Sequence, residues 1–328
     1  MQNNIKKRPL GQTELLLSPL GLGTWQFSKG TGVVGKFWGV LDDQMTEDII
    51  KTSLDGGINW FDTAEVYGGG ESEKILAKAL ENIGASPDDA KIATKWWPMF
   101  RMANSITKTI ETRKQALSNR PIDLYQIHQP YSLSSVENQI KAMVSLVEDG
   151  HIKHVGVSNF NASAMGNSHR ILKDNGQTLA SNQVKYSLLD RRIEENGTLE
   201  RAQELGISII AYSPLEQGLL TGKFHDNPSL IQDAKGPRRH QRKFKESGLA
   251  ETKPLISLLD AIGEKYNVSA SQVALNWTIH YHGETVFAIP GATKVHHAQD
   301  NVGALTFKLD ASELEEISMT SWKVIRKK

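Results

Sequence analysis

The sequence contains no cysteine, which excludes disulfide bonds, thiolate catalysis and cysteine-ligated zinc. It also has little net charge, because 38 lysines and arginines balance 37 aspartates and glutamates to give +1. A net charge this close to zero provides no general attraction for nucleic acid. No apolar run is long enough to span a membrane, and the N-terminal MQNNIKKRPL lacks the apolar segment of a signal peptide. We therefore expect a cytoplasmic protein that binds neither nucleic acid nor membrane.

Eight short apolar runs, rich in Val and Ile, alternate with segments of helical periodicity. They begin at Leu20, Ile58, Lys91, Ile122, His154, Ala180, Ser208 and Thr285. Continuous apolar runs are typical of parallel strands that are buried on both faces. Eight evenly spaced strand–helix units favour a closed (β/α)8 barrel, with a doubly wound sheet as the alternative. Because no proline- or serine-rich linker divides the chain, we expect a single domain over residues 1–328.

Additions to the barrel are predicted near both ends of the chain. Gly11 and Gln12 separate two short apolar stretches, which indicates a hairpin that closes the floor of the barrel. The interval from Tyr212 to Pro290 is much longer than the other intervals between strands, so it contains an inserted loop and an extra helix. Capping boxes predict three helix starts in the chain, two of them outside this interval. Their residue pairs are Ser134 with Glu137, Ser269 with Gln272, and Asp310 with Glu313.

Polar side chains end most of the predicted strands. Asp62 ends the second strand, Lys95 the third and His128 the fourth. The later strands end at Ser158, Asn159, Asn182, Gln183, Tyr212 and Ser213. Each residue has an ordinary explanation by itself: Asp62 as a helix cap, Lys95 as a surface lysine, His128 as a structural histidine. A barrel brings all of these strand ends to the rim where its chemistry takes place, so their coincidence favours a functional site.

These residue types suggest proton donation to a carbonyl oxygen. A buried lysine beside the Asp62 carboxylate stays protonated, and its charge is expected to lower the pKa of Tyr67 from about 10. Tyr67 would then act as a general acid, and His128 would donate a hydrogen bond to the same oxygen. Since no side chain supplies a hydride, the chemistry implies a nicotinamide cofactor.

Several long segments of the chain resemble the aldo-keto reductases. They are LGLGTWQF, GINWFDTAEVYGGGESE, IATK, DLYQIHQP, HVGVSNF, NQVKYSLLDR, AYSPLEQGLLTGK and IPGATKVHHAQDN. The resemblance, strongest to the bacterial branch with a long loop after strand seven, implies a barrel without a Rossmann domain. It also implies NADPH-dependent reduction of aldehydes and ketones, with a catalytic tetrad of Asp62, Tyr67, Lys95 and His128.

The resemblance further implies the residues that bind the cofactor. Ser158, Asn159 and Gln183 would bind the nicotinamide carboxamide, and Tyr212 would stack on the ring. The pyrophosphate would lie on the loop that contains Ser213, Pro214, Leu215, Gln217, Gly218, Leu219 and Lys223. The 2′-phosphate would contact Gly291, Thr293, Lys294 and His297, and the adenine Asp300 and Asn301. The remaining candidates are Gly23, Thr24, Trp25, Asp62 and Arg239.

Two features affect the choice between NADPH and NADH. Arginine or glutamine is common in the family at the position of His297, and histidine weakens a phosphate clamp unless it is charged. NADPH is therefore the expected cofactor, with NADH also possible. The basic run from Lys235 to Lys245 either folds over the cofactor phosphates or is a solvated loop.

The substrate pocket is expected to contain Trp25, Tyr67, Trp96 and His128. Phe37 and Trp38 are further candidate walls, on a loop whose GTGVVG sequence fits the pattern of a dinucleotide-binding turn but is followed by no helix start. The histidine pairs have no other ligands near them in sequence, so no metal site is predicted.

Two other functions stay open at this point. One is a Schiff-base aldolase that uses Lys95. The other is a regulatory subunit that binds a nicotinamide cofactor and has weak activity.

Overall fold

The computed structural model describes residues 5–30, 39–232 and 236–326. Strands β1 (Arg8–Pro9) and β2 (Leu16–Leu17) form an antiparallel pair, and eight further strands form one parallel sheet in chain order. Those eight are β3 (Leu22–Gly23), β4 (Trp60–Asp62), β5 (Lys91–Trp96), β6 (Leu124–Ile127), β7 (His154–Ser158), β8 (Leu179–Lys185), β9 (Ser208–Tyr212) and β10 (Val286–Ala288). All eight predicted strands are confirmed. Phe37, Trp38, most of the GTGVVG segment and Lys235 lie outside the described residues.

The sheet closes on itself. Leu20 and Gly23 form parallel bridges with Ala288 and Gly291, respectively. The backbone nitrogen of Gly21 donates to the Ala288 carbonyl at 2.9 Å, and the nitrogen of Ala288 donates to the Pro19 carbonyl at 3.0 Å. The first and last strands of the sheet are therefore joined, and the predicted (β/α)8 barrel is confirmed.

Helices surround the barrel. They span Asp43–Asp55, Glu71–Asn82, Asn104–Lys108, Ile110–Ala116, Val136–Glu148, Ala162–Asp174, Arg192–Glu195, Thr198–Leu205, Lys223–Asp226, Glu246–Tyr266, Ala270–His280, Val295–Gly303 and Ala311–Ile325. The long insertion after β9 consists of 3₁₀ turns and one short helix, followed by the helix Glu246–Tyr266, as expected. None of the helices in the described ranges is long and apolar enough to cross a membrane.

Two of the three predicted capping boxes are present. Ser269 pairs with Gln272, and Asp310 pairs with Glu313. The third prediction is wrong by one residue, because Ser135 caps the helix by accepting from the nitrogen of Asn138 at 3.2 Å. The hydroxyl of the predicted cap, Ser134, is already used by the backbone nitrogen of Ala103, which lies 2.9 Å away in a neighbouring loop.

The N-terminal hairpin closes the floor of the barrel, as predicted. Leu10, Leu15 and Leu17 are buried against side chains of the barrel interior, among them Trp60 and Phe287. The turn approaches the strands too closely for a side chain at Gly11. A Cβ there would lie 2.5 Å from the carbonyl oxygen of Ala180, and the backbone has a φ of +60° that favours glycine.

The hairpin leucines allow a matched test of this packing. Leu10→Ala is expected to lower the free energy of unfolding by about 2–5 kcal/mol, because it leaves a cavity under the barrel. Leu16→Ala is the control, since Leu16 lies in the same hairpin but is 53% exposed. It should change stability by less than about 0.5 kcal/mol. Urea unfolding of both variants measures the difference, and equal stabilities would contradict the described floor.

Candidate active site

A cleft of about 950 Å³ lies over the carboxyl ends of the strands. It collects most of the residues predicted from the sequence. Those that line it are Gly23, Thr24, Trp25, Asp62, Tyr67, His128, Ser158, Asn159, Gln183, Tyr212, Ser213, Pro214, Leu215, Gln217, Gly218, Lys223, Gly291, Thr293, Lys294, His297, Asp300 and Asn301. Lys95 lies beneath this lining, fully buried in the barrel.

Trp96 does not lie in the cleft, so its assignment to the substrate pocket is wrong. Side chains alternate along a strand, and Lys95 points into the barrel, so Trp96 must point outward. Trp96 is fully buried there, and its Nε1 donates to Ser105 Oγ at 3.0 Å. Trp97, one residue further, lines the cleft instead. The alternation could have corrected this assignment from the sequence.

Two predicted cofactor residues also fall outside the cleft lining. Leu219 is fully buried in the hydrophobic core. Arg239 donates to the exposed ring of His240, whereas its neighbour Arg238 lines the cleft and contacts the Gln217 carbonyl at 3.5 Å. Successive residues of the 3₁₀ turn Gly236–His240 point in different directions, so only one of the two arginines faces inward.

A buried ion pair lies at the centre of the site. Asp62 ends β4, Lys95 lies near the end of β5, and their side chains are 1% and 0% exposed. Lys95 Nζ donates to Asp62 Oδ1 and, at 2.9 Å, to the Thr63 carbonyl. The other Asp62 oxygen accepts from the amides of Gln126 and Gln183 at 3.1 and 2.9 Å. Both oxygens of the Asp62 carboxylate are therefore hydrogen-bonded inside the barrel.

The charge of Lys95 is maintained in spite of its burial. Burial by itself would lower the pKa of Lys95, but Asp62 and Tyr67 outweigh this effect and hold the pKa above its ordinary value. A buried amine stays protonated only when such partners are present. Lys95 is therefore a fixed positive charge directly below the cleft.

Besides Asp62, Lys95 contacts Tyr67, which lines the cleft. It lies on the loop after β4, and its hydroxyl is 3.3 Å from Lys95 Nζ. Burial raises the pKa of Tyr67 above its ordinary value, while the charge of Lys95 acts in the opposite direction. The expectation that Lys95 lowers the pKa of Tyr67 below about 10 is therefore wrong for the net effect. The phenol keeps its proton at neutral pH, with a cation beside it.

His128 follows β6 and faces the same space. Its ring meets those of Tyr67 and Trp97 edge-on, with centroids 5.7 and 5.1 Å apart. Burial, assisted by the charge of Lys95, lowers the pKa of His128 well below its ordinary value. The imidazole is therefore neutral at physiological pH. A neutral ring still has one N–H group that it can donate to a substrate oxygen.

Amide and hydroxyl groups on the next strands form a connected polar wall. Ser158 Oγ donates to the Gln183 carbonyl at 2.8 Å, and Asn159 Nδ2 donates to Ser158 Oγ at 3.1 Å. The hydroxyl of Tyr212 donates to Asn159 Oδ1 at 3.1 Å, which fixes the tyrosine at the edge of the cleft. Asn159 has a φ of +60°, an uncommon conformation that such a network can maintain.

Positive charge gathers at the far end of the cleft. Burial lowers the pKa of Lys223, and the charges of Arg238 and Lys294 lower it further. Burial also lowers the pKa of His297 to about 4, with added effects of His296, Lys223 and Lys294. His297 is therefore neutral at physiological pH. An anion bound between these cations would relieve their mutual repulsion.

Several cleft residues had no assignment from the sequence. They are Gln26, Gly39, Val40, Leu41, Val66, Thr221, Phe224, Leu230, Arg238, Ser271, Ile289, Pro290 and His296. Most lie within two residues of a predicted position, on the same loops. Within the described residues, no group of three or more histidines, aspartates or glutamates is arranged to hold a metal ion.

Comparison with known proteins agrees with the fold. Residues 19–320 match the model of the aldo/keto reductase family. A probable aldo-keto reductase 1 from Glycine max is 30% identical, with 93% of this chain and 89% of the relative covered. The chloroplastic pyridoxal reductase of Arabidopsis thaliana is 32% identical, with 91% and 82% covered. The solved structure of a glycerol dehydrogenase from Gluconobacter oxydans is 28% identical, with a TM-score of 0.83 and coverage of 96% and 94%.

A closed barrel with a polar rim and a long cleft is typical of enzymes that act on small molecules. The chain belongs to the aldo/keto reductase family and is an NAD(P)H-dependent oxidoreductase.

The buried ion pair can be tested by unfolding. Lys95→Met should lower the free energy of unfolding by about 3–5 kcal/mol, because Asp62 then lacks its compensating charge. The double variant Lys95→Met with Asp62→Asn removes both charges and should recover part of this loss. Thermal or urea unfolding measures the single variants Lys95→Met and Asp62→Asn and the double variant. A double variant as unstable as the sum of the two single variants would show that the charges do not interact.

Proposed function

We propose that the protein reduces aldehydes and ketones to alcohols with NADPH, and that Tyr67 is the general acid. The observation that carries this proposal is the position of Lys95 Nζ, which contacts both the Asp62 carboxylate and the Tyr67 hydroxyl. Lys95 and Asp62 assist the phenol, and His128 donates a hydrogen bond to the carbonyl oxygen. A cytoplasmic location and a single domain over residues 1–328 are part of the same proposal.

The described residues fit a nicotinamide dinucleotide phosphate. Asn159 contacts Tyr212, and Gln183 lines the same cleft, so an aromatic face and amide groups are available for a planar carboxamide ring. Lys223 and Lys294 lie at the other end, where their charges suit phosphate groups. The cofactor supplies the hydride when it is bound.

The proton comes from the protein. As the carbonyl carbon is reduced, negative charge develops on its oxygen, and a donor at that oxygen stabilises the transition state. Tyr67 gives its proton to this oxygen and becomes a phenolate. Because Lys95 Nζ lies 3.3 Å from the phenol oxygen, its charge stabilises the phenolate at the moment it forms.

The geometry argues against a Schiff-base aldolase. Formation of a Schiff base needs a neutral, accessible amine. Lys95 is fully buried, donates to three oxygen atoms, and has a pKa held above its ordinary value by Asp62 and Tyr67 after the opposing effect of burial. Nothing in these contacts leaves a free lone pair for attack on a carbonyl.

The walls near Tyr67 suit an apolar carbonyl compound. Trp25 stacks on Tyr67 with ring centroids 6.2 Å apart, and Val66 and Trp97 line the same cleft. The Arabidopsis relative is named for the reduction of pyridoxal, which is an aldehyde on an aromatic ring. We therefore include aromatic aldehydes in the proposed substrate class.

Tyr67→Phe tests the proton donor. The variant should lose about 10²–10⁴-fold in kcat for an aromatic aldehyde, because general acid catalysis is removed. NADPH affinity, measured by fluorescence titration, should change little, because the phenol hydroxyl is not one of the proposed cofactor contacts. Tyr131→Phe is the matched control, since Tyr131 is 69% exposed. A Tyr67→Phe enzyme with the turnover of the parent would rule out the proposed donor.

Two substitutions with opposite effects test the phosphate end of the cleft. Lys294→Met should weaken NADPH binding by about tenfold and leave NADH binding nearly unchanged, because a charge-assisted contact to the 2′-phosphate is lost. His297→Arg should strengthen NADPH binding, because it replaces a neutral ring by a permanent charge. Binding of both cofactors is measured side by side. Parallel changes for NADPH and NADH would place the 2′-phosphate elsewhere.

A further inference from the structure

A second ionic cluster lies behind the cleft, and the proposed chemistry does not use it. It consists of Glu65, Glu73, Arg101 and Arg113. Glu65 lies two residues before Tyr67 on the loop after β4. Its carboxylate accepts from the backbone nitrogen of Trp97 and from the guanidinium of Arg101, and its own nitrogen donates to the Lys95 carbonyl at 3.3 Å. One residue thus connects the Tyr67 loop to the end of β5.

On the other side of Tyr67 the loop is attached through its backbone, because the nitrogen of Ser72 donates to the Tyr67 carbonyl at 3.2 Å. Tyr67 is followed by Gly68, Gly69 and Gly70, all with positive φ. Glycines have no side chain that could attach the loop to its neighbours, and they allow wide backbone freedom. On the N-terminal side of Tyr67, Val66 lines the cleft and Glu65 is the nearest polar side chain. Glu65 is therefore the side chain that attaches the loop to β5 and Arg101, and what holds Glu65 contributes to the position of the phenol.

Arg101 holds Glu65 with a guanidinium whose three nitrogens all donate hydrogen bonds. Besides Glu65, its nitrogens donate to the Trp97 carbonyl at 3.1 Å, to Ser105 Oγ at 3.1 Å and to Thr109 Oγ1 at 3.0 Å. These contacts fix the segment that carries Trp97, which forms one wall of the cleft and packs edge-on against His128. A planar fork with several donors suits such a junction better than a lysine ammonium would.

The backbone of the turn that carries Arg101 is constrained. Phe100, the residue before Arg101, has a φ of +59° although it is 84% exposed. A left-handed conformation is unfavourable for a bulky residue, and it persists only where surrounding contacts determine it. Leu133 and Ser132 both donate to the Arg101 carbonyl, at 3.0 and 2.9 Å. Arg101 is thus held by its backbone as well as by its side chain.

The remaining two members complete the cluster from the adjacent helices. Arg113 Nη1 lies 3.7 Å from Glu65 and 2.7 Å from Glu73, which is fully buried and accepts from Thr94 Oγ1 at 2.6 Å. Burial raises the pKa of Glu73 to about 7, against the charge of Arg113. A buried ionic cluster is weak evidence for stability, since its desolvation is costly. Its best-attested use is to fix geometry.

We propose that Glu65 is a positioning residue, which with Arg101 sets the distance between the Tyr67 loop and the Trp97 wall across the cleft. The inference rests on the proposed role of Tyr67 as proton donor. Glu65 touches neither substrate nor cofactor in this account. It acts by keeping the phenol at Lys95 and His128.

Three substitutions test the proposal. Glu65→Gln keeps the shape and one acceptor for the Trp97 nitrogen, Glu65→Ala removes all contacts, and Arg101→Lys keeps the charge but loses the fork. We expect kcat for an aromatic aldehyde to fall by about tenfold in Glu65→Gln and by about a hundredfold in Glu65→Ala, because a small misplacement of a catalytic group is costly. Glu71→Gln is the matched control, since Glu71 forms an ion pair with Lys74 at 2.8 Å on the exposed start of the next helix.

The measurements separate positioning from a general loss of structure. Turnover is expressed per NADPH-binding site, determined by titration, so that unfolded protein does not count. The NADPH dissociation constant should stay near that of the parent, and the isotope effect with NADPH deuterated at the transferred position should increase as chemistry becomes slower. If Glu65→Ala folds poorly, Glu65→Gln and Arg101→Lys still provide the test.

The outcomes also distinguish this inference from the proposed function. Tyr67→Phe is assayed in the same series. A Tyr67→Phe enzyme with full turnover contradicts the proposed function itself. If Tyr67→Phe is inactive while Glu65→Gln, Glu65→Ala and Arg101→Lys all keep the kcat and isotope effect of the parent, the positioning role alone is overturned.

Discussion

The ion pair of Asp62 and Lys95 is the interaction on which the site depends. Two charges in the middle of a barrel are tolerated only because each has its full set of partners. The amides of Gln126 and Gln183 complete the carboxylate, and the Thr63 carbonyl completes the ammonium. Together with the pair itself, these partners come from four different strands or their ends. The positions of these strands and the ionisation of Asp62 and Lys95 therefore depend on each other.

The electrostatics of the cleft follow from this arrangement. Lys95 is held charged, while burial keeps Tyr67 protonated and His128 neutral, with the lysine adding to the effect on the histidine. The protein thus presents two hydrogen-bond donors and one cation to a single point in the cleft. A site of this kind favours the accumulation of negative charge on a bound oxygen more than it favours the neutral carbonyl, and such a difference lowers a reaction barrier.

Much of this could be predicted from sequence because parallel strands are apolar on both faces and end at one rim. That rule located the strands and brought Asp62, Lys95 and His128 together. The errors concern which way a side chain points rather than which segment of the chain it lies in. Trp96 ends β5 and Trp97 follows it, and Arg238 and Arg239 lie on one 3₁₀ turn, yet only one of each pair faces the cleft. The direction of the pKa shift of Tyr67 could not be predicted either, because it depends on how deeply the phenol is buried. Glu216 and Gln217 adopt positive φ in the insertion, which no local sequence rule indicates.

The closure of the barrel has a further consequence. The groups proposed for proton donation lie between residues 62 and 128, whereas the residues proposed for the phosphates all come after β9. Leu20 pairs with Ala288, so the sheet is complete only when its first strand meets its last. Pairing between such distant segments is slow and cooperative, because much chain entropy is lost before the contacts form. A nascent chain thus contains the proposed proton donor early, but the barrel that would hold the cofactor is complete only when its last strand has been made and paired with the first.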